Sequence, residues 1–180
     1  MKELSLNILD IAENSIKAKA KYVEIKIIET ADTITISVSD DGVGMKPDFL
    51  KSVTNPFTTT RTTRPVGLGI PLLKLAAEQT GGKIEITSRH FEEFPDSHGT
   101  STSALFYKNH IDAAPLGDMV ETMVTLIQCN PDTNFNFLHT TEENTVRLDT
   151  KELKDILGEV PLNNIEVILW IKEYLKEQYQ

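Results

Sequence analysis

The sequence predicts an α/β protein, because stretches with the periodicity of strands and of helices alternate along its 180 residues. Residues 22–28 and 33–38 alternate apolar and polar side chains, as strands with one buried face do. Residues 3–18 instead repeat apolar side chains at helical spacing. Since only a short turn at residues 30–32 separates the two strands, we expect them to pair antiparallel.

The rest of the chain follows the same two patterns. A short helix is predicted to begin near Pro47, and Gly81 with Gly82 is predicted to end a longer helix. The pattern predicts helices over residues 70–79, 116–128, 150–157 and 162–178, and strands over residues 83–87, 100–107, 134–138 and 145–148.

The composition excludes several classes of function. The net charge of −9 argues against binding to a nucleic-acid backbone, which requires a basic surface. The longest apolar runs are too short to span a bilayer, and we expect neither a signal peptide nor a membrane partner. The single cysteine, Cys129, excludes an internal disulfide and fits a reducing compartment, so we expect a cytoplasmic protein.

The negative charge is concentrated in the last third of the chain. From Ala113 onward there are five Lys or Arg and twelve Asp or Glu residues, a net charge of −7, whereas residues 1–112 carry −2. This shift predicts a main domain over residues 1–112 and a small α/β extension over residues 113–180. The acidic extension is either a solvated surface or a surface that binds a protein partner.

Polar residues form a stripe along the first predicted helix. Their spacing of three, four and three residues places Asn7, Asp10, Asn14 and Lys17 on one face. An amide oxygen, a carboxylate and an ammonium group on one rigid element suit a metal and phosphate site. An ordinary solvated helix face is the alternative.

Two glycine-containing segments supply the other candidate site residues. Asp40, Gly42, Gly44 and Met45 follow the second strand; the acid can accept from an exocyclic amine, and the glycines let backbone approach a planar base. Residues 54–66 are polar and include Thr59 and Arg61, which suits a lid over phosphates or a mobile surface loop. Gly67, Leu68 and Gly69 then open a helix, whose free amides favour an anion.

In this order, with Gly99-Thr100 following, these motifs resemble the ATP-binding domain shared by sensor histidine kinases, DNA gyrase, mismatch-repair ATPases and the large heat-shock chaperone. The resemblance to this histidine kinase-like ATPase superfamily covers about residues 1–108. It implies a two-layer α/β sandwich with a mixed, largely antiparallel sheet on one side and helices on the other. It also implies ATP and Mg²⁺ as cofactors.

The resemblance assigns a role to each motif residue. Asn14 would hold Mg²⁺, Lys17 would contact phosphate, and Gly67, Leu68 and Gly69 would wrap the phosphates with backbone amides. Asp40 would bind the adenine amine, Gly44 and Met45 would line the ring, and Thr100 would support the adenine pocket.

Two departures from the family pattern bear on activity. Hydrolytic members have Glu as the catalytic base four residues before the metal-binding Asn, where this chain has the shorter Asp10. Asp10 is therefore either a base with reduced reach or a residue that helps to hold metal-bound water. The predicted domain starts at Met1, so we expect no preceding hairpin with a phosphorylatable His, and we expect all four histidines to lie on the surface.

Three functions remain open at this point. The first is an ATP-binding switch or slow ATPase. The second is a protein kinase that phosphorylates a partner protein, and the third is an interaction module that binds no nucleotide.

Overall fold

The computed structural model describes residues 3–55 and 68–180. Within these ranges, no helix combines the length and the apolar composition that crossing a membrane requires. The elements follow in the order α1 (Leu4–Lys17), β1 (Tyr22–Glu29), β2 (Thr33–Asp40), α2 (Pro47–Ser52), α3 (Gly69–Gln79), β3 (Lys83–Arg89), β4 (Gly99–Tyr107), α4 (Met119–Cys129), β5 (Asn134–Thr140), β6 (Thr145–Asp149), α5 (Thr150–Leu157) and α6 (Ile165–Tyr179).

The described strands form one six-stranded sheet in the order β3-β4-β2-β1-β5-β6. β1 and β2 pair antiparallel, as their short connection predicts, and so do β2 with β4, β3 with β4, and β5 with β6. β1 and β5 pair in parallel, with Ile25 opposite Phe137. The sheet is therefore mixed and largely antiparallel, which confirms the predicted fold class.

One face of the sheet carries the hydrophobic core. Side chains at alternate positions are buried in β1, β2 and β5, and the pairing register places Ile25, Val38 and Phe137 side by side on that face. α1, α3, α4 and α6 bury apolar stripes in the same core cluster. Helices on one face of a sheet make the predicted two-layer sandwich.

The C-terminal strands continue the sheet of the N-terminal part. β5 pairs with β1, and the amides of Leu4 and Ser5 at the start of α1 donate to the carbonyls of Pro115 and Leu116 at 2.9 and 2.7 Å. The predicted boundary after residue 112 falls between β4 and α4. The division into two domains stays a prediction. Residues before and after the predicted boundary share one sheet and one core cluster.

Two C-terminal helices begin three residues later than periodicity predicts. The side chain of Asp118 accepts from the amide of Glu121 at 2.9 Å, which caps α4 and places its start at Met119. The side chain of Asn164 accepts from the amide of Glu166 at 2.9 Å and caps α6 in the same way. An apolar residue before each cap extends the helical pattern without extending the helix.

The expectation that all four histidines lie on the surface is wrong for His139. Its side chain is 4% exposed, Nε2 lies 2.8 Å from Oε1 of Glu29, and Nδ1 lies 2.8 Å from the Tyr179 hydroxyl. Burial, and then the charge of Glu29, raise the pKa of Tyr179, so the phenol keeps its proton and can donate it to Nδ1 of His139. Nε2–H then donates to Glu29, and the network joins β1, β5 and α6.

We expect Glu29→Gln to lower the free energy of unfolding by about 2 kcal/mol at neutral pH, because it weakens charge-assisted hydrogen bonds with His139 and Lys108. Burial acts to raise the pKa of Glu29, but these two partners outweigh it and hold the pKa below its ordinary 4.5. The stabilisation is therefore fully present above pH 4.5 and is lost as pH falls below it. Urea unfolding from pH 3 to 8 measures the difference between wild type and variant.

The control for this measurement is Glu85→Gln. Glu85 pairs with Lys83, but both side chains are about two-thirds exposed, so its removal should change stability little. An effect of Glu29→Gln no larger than that of the control, or one that grows as the pH falls, would contradict the network.

Candidate functional site

The polar stripe of α1 passes from the core to solvent along its length. Asn7 is 2% exposed, Asp10 and Asn14 are half-buried, and Lys17 in the last turn is exposed. Burial raises the pKa of Asp10, Glu13 raises it further, and Lys17 acts in the opposite direction. A carboxylate held in a partly desolvated position has a stronger affinity for a proton, or for a cation that could neutralise it.

The N-terminus of α3 lies against this stripe. A Cβ atom built at Gly69, the first residue of α3, would be 3.4 Å from Cβ of Asp10 and 3.6 Å from Nδ2 of Asn14. Leu68, just before it, is 39% exposed. The free amides and the positive end of the α3 dipole therefore lie beside Asp10 and Asn14, where an anionic group would be stabilised.

Asp40 ends β2 and its carboxylate faces α1. Oδ2 accepts a hydrogen bond from the Ser15 hydroxyl at 2.6 Å, while Oδ1 accepts from the amides of Gly42 at 2.8 Å and Thr100 at 3.3 Å. These donors hold the carboxylate in one orientation. Each carboxylate oxygen has two lone pairs, so Oδ2 keeps capacity for a further donor.

The loop after β2 is tied to the end of α1. The amide of Val43 donates to the Ala18 carbonyl at 2.9 Å, and a Cβ atom at Gly42 would lie 2.8 Å from that same oxygen. Asp41 accepts from the amides of Lys21 and Tyr22 at 2.8 and 2.9 Å. The glycine at position 42 is therefore required by the close passage of the loop over α1.

The fold also requires a glycine at position 44, for a different structural reason. Its φ is +73°, and a Cβ atom there would lie 2.0 Å from the Arg89 carbonyl oxygen. Next to it, the amide of Met45 donates to the Ser88 hydroxyl at 2.7 Å, and Ser88 bonds in turn to the hydroxyl of Thr100 at 2.7 Å. Thr100 is paired with Asp40 in the β2–β4 register, so these residues form one connected group.

The structure thus brings most of the predicted site residues into two adjoining groups. The first comprises Asp10, Asn14, Lys17, Leu68 and Gly69, and the second comprises Asp40, Gly42, Gly44, Met45 and Thr100. Thr59, Arg61, Gly67 and residues 56–66 of the predicted lid lie outside the described residues. The individual binding and catalytic roles of all these residues stay predictions.

Two residues of the site are missing from the sequence prediction. Ser15, 3% exposed, belongs by its spacing to the core face of α1, but its hydroxyl joins α1 to Asp40. Ser88 connects Met45, Thr100 and the Gly99 carbonyl. A serine within an otherwise apolar buried stripe is a usable signal for Ser15, since a buried hydroxyl requires a partner. Ser88 has no comparable signal in the sequence.

A family model described as "Histidine kinase-, DNA gyrase B-, and HSP90-like ATPase" matches residues 2–110. The chain belongs to this family. The match covers the segment that contains both groups of the site, from α1 to β4. Domains of this family bind ATP, typically with Mg²⁺.

Curated relatives match about half of the chain. The sensor protein KdpD of Clostridium acetobutylicum is 30% identical over 94 residues, which are 49% of this chain and 10% of that protein. Sporulation kinase C of Bacillus subtilis is 33% identical over 90 residues, again 49% of this chain and 20% of that protein. The shared segment is thus a small part of these relatives.

A solved structure supports the fold over a longer segment. The N-terminal domain of a DNA repair protein superimposes with a TM-score of 0.56 at 14% sequence identity, covering 88% of this chain and 58% of that chain. That coverage exceeds the segment matched by the family model, so the similarity in fold includes C-terminal residues of this chain.

The residues present fit a nucleotide with a divalent cation. Nδ2 of Asn7 is buried and has no hydrogen-bond partner among the described residues, although it lies on the same stripe as Asp10 and Asn14. A buried donor without an acceptor is expected where a ligand or its water is missing. Asn14 and Asp10 offer the oxygen ligands that Mg²⁺ prefers, and the N-terminus of α3, which begins at Gly69 beside them, is a place that favours a phosphate group.

We expect Gly44→Ala to lower the free energy of unfolding by about 2–5 kcal/mol. The added methyl group would collide with the Arg89 backbone, and residue 44 would also have to keep a left-handed backbone conformation, which strains alanine. Gly81→Ala is the matched control: φ is +83°, but the nearest atom would be 3.9 Å away. Only the backbone strain of about 1–2 kcal/mol then applies. Equal losses for the two variants in urea unfolding would contradict the close approach.

We expect Asn7→Leu to raise the free energy of unfolding of the ligand-free protein by about 1–2 kcal/mol, because it removes the unsatisfied buried donor. The same variant should bind ATP more weakly if that donor serves the ligand. Thr122→Val is the control, since the buried Thr122 hydroxyl already donates to the Asp118 carbonyl at 2.8 Å and its loss should not stabilise. A destabilised Asn7→Leu protein with unchanged ATP affinity would refute this explanation of the orphaned donor.

Proposed function

We propose that this protein is an ATP-binding switch or slow ATPase whose output is a change in its binding to a protein partner. The observation that carries the proposal is the junction of the two residue groups through the Ser15–Asp40 hydrogen bond at 2.6 Å. Ser15 adjoins Asn14, so the acid proposed for adenine and the amide proposed for Mg²⁺ belong to one rigid unit.

In this proposal, each group serves one end of the nucleotide. Asp40 accepts from the adenine amine, with Gly42, Gly44, Met45 and Thr100 shaping the surrounding backbone. At the other end, the amides of residues 67–69 and Lys17 receive the phosphates, joined by Thr59 and Arg61. Asn14 holds Mg²⁺, which when bound offsets the negative charge of the phosphates.

Slow hydrolysis follows from the short side chain at position 10. A base must lie within about 2.6–3.2 Å of the water it activates, or act through a second water. Asp ends about one carbon–carbon bond before Glu would, and a misplacement of that size can reduce a rate on the order of a hundredfold. Burial, which raises the pKa of Asp10, favours its action as a base once it is correctly placed.

A protein kinase is the second candidate. It is favoured because curated relatives that share this segment are kinases and sensor proteins by name, and because a poorly placed base preserves ATP for transfer to another acceptor. A nucleotide-free interaction module is the least favoured, since it leaves the orphaned Asn7 donor and the desolvated Asp10 without a purpose.

The acidic C-terminal part is our proposed contact region for the protein partner, and the cytoplasm is the proposed location. The exposed single cysteine, Cys129, suits a reducing compartment, where it needs no disulfide partner.

We expect wild type to bind ATP in the presence of Mg²⁺ and to prefer it to GTP, because the exocyclic oxygen of guanine would face the Asp40 carboxylate. Asp40→Asn should weaken ATP binding about tenfold to hundredfold, because it removes one charge-assisted hydrogen bond. It should also reduce the preference of the protein for ATP over GTP. Titration with fluorescent analogues of both nucleotides measures each affinity. Ser15→Ala is the control: it loosens the Asp40 carboxylate but should keep the preference for ATP. Equal affinities of wild type for ATP and GTP would contradict the proposal that Asp40 binds adenine.

We expect Asp10→Glu to release phosphate faster than wild type at saturating ATP, and Asp10→Asn to release it more slowly. The longer side chain of Asp10→Glu should reach the attacking water, whereas Asp10→Asn has no basic group. If Asp10→Asn turns over as fast as wild type, Asp10 is not the base, and labelled phosphate should then be sought on a partner protein. If wild type is fast and Asp10→Glu slower, the geometric argument for slow hydrolysis fails.

A further inference from the structure

Helix α6 exposes large apolar side chains in its first two turns. Ile165 is 74% exposed, Leu169 is 58% exposed, and Trp170 is 50% exposed. Trp170 stacks on Tyr174, one turn later, with ring centroids 4.9 Å apart and an interplanar angle of 13°. We call Ile165, Leu169 and Trp170 the α6 apolar surface.

The α6 apolar surface is not needed to hold the helix on the protein. α6 already buries Val167, Ile168, Ile171 and Leu175 in the core, and these four side chains define its inner face. A helix packed by one stripe is expected to be polar elsewhere. A second apolar surface with a tryptophan is instead typical of a binding interface, where Trp is enriched among the residues that dominate affinity.

The segment that leads into α6 also exposes apolar side chains. Ile156 near the end of α5 is 81% exposed, and Val160 in the following turn is 43% exposed. Five of the large exposed apolar residues thus fall within residues 156–170. Isolated exposed apolar side chains are ordinary on a protein surface, so a binding interface is indicated by Ile165, Leu169 and Trp170, which share one helix.

The surroundings of this surface are acidic. At 100° per residue, Glu166, Glu173 and Glu177 lie on the outer face of α6 between Leu169 and Trp170. Asp155 and Glu159 are also exposed in the preceding segment. The two lysines of α6 are already paired, Lys172 with Glu121 and Lys176 with Glu173.

This charge distribution selects among possible occupants. An anionic lipid surface would be repelled by the carboxylates. In a two-fold dimer the same acidic surface would face itself, and like charges opposed across an interface are unfavourable. A protein with apolar side chains flanked by lysine or arginine satisfies both the apolar and the acidic parts.

We propose that the α6 apolar surface and its carboxylates form a docking site for a partner protein that presents a basic amphipathic helix. The proposal rests on the proposed function only for the existence of a protein partner. α6 packs on α4, and α4 packs on α1, which carries Asp10 and Asn14. The docking surface and the nucleotide site therefore belong to the same layer of helices.

Trp170 is the only tryptophan of the chain, so its fluorescence reports on this surface directly. The first probe is a synthetic helix of about five turns with leucine on one face and lysine on the other, and the second is the same helix with glutamate in place of lysine. We expect a saturable blue shift with the leucine–lysine helix and none with the leucine–glutamate helix. Leu169→Ser and Glu166→Lys should each weaken binding of the first probe about tenfold or more.

Asp96→Lys is the control for the total charge of the protein, since Asp96 lies in the exposed loop between β3 and β4. It should bind the leucine–lysine helix like wild type. If Asp96→Lys and Glu166→Lys weaken binding of the leucine–lysine helix equally, the effect depends only on the total charge of the protein, and the proposal is overturned. Equal binding of both probes, a blue shift with phosphatidylserine vesicles, or a concentration-dependent dimer that shields Trp170 would also overturn it.

ATP affinity is measured on the same variants. Weakened peptide binding with unchanged ATP affinity supports the docking site separately from the nucleotide site. Intact peptide binding in a protein that fails to bind ATP would refute the proposed function while leaving the docking site in place.

Discussion

The hydrogen bond from the Ser15 hydroxyl to Oδ2 of Asp40 joins the two elements on which the site depends. It links α1, the helix in the middle of the helical layer, to the end of β2, a central strand of the sheet. Ser15 is buried and Asp40 is half-buried, so the bond is partly shielded from water, and its acceptor is a carboxylate, which strengthens it. The distance between the residues beside Ser15 and those around Asp40 is therefore determined by packing of the core.

Close backbone approach is the second constraint on this region. Cβ atoms at Gly42, Gly44 and Gly99 would meet Ala18, Arg89 and Asp40, respectively, at 2.8, 2.0 and 1.9 Å from their carbonyl oxygens. These glycines are required by the fold itself, whether or not a planar base lies against them. Ligand binding is indicated instead by two other features: Nδ2 of Asn7, a buried donor without a partner among the described residues, and the partly desolvated carboxylate of Asp10.

The C-terminal part extends this arrangement. β5 and β6 lengthen the sheet beyond β1, and the His139 network joins the end of α6 to β1 through Glu29 and Tyr179. Gln178 of α6 also covers the edge of β6, since its side chain bonds both the amide and the carbonyl of Arg147. This side chain occupies the hydrogen-bonding groups of Arg147 at the edge strand, which hinders pairing of another strand at that position.

The sequence by itself determined the element types, the core-facing sides of the strands and the polar stripe of α1, because these depend on local periods of 2 and 3.6 residues. The order of the motifs was likewise enough to suggest the family. Only the tertiary structure decided that β5 lies parallel to β1, that Ser15 and Ser88 are partners of the site, and that His139 is buried. Each of these depends on contacts between residues far apart in the chain. A local pattern states which face of an element is buried, but the partner that the face meets is selected by packing of the whole core.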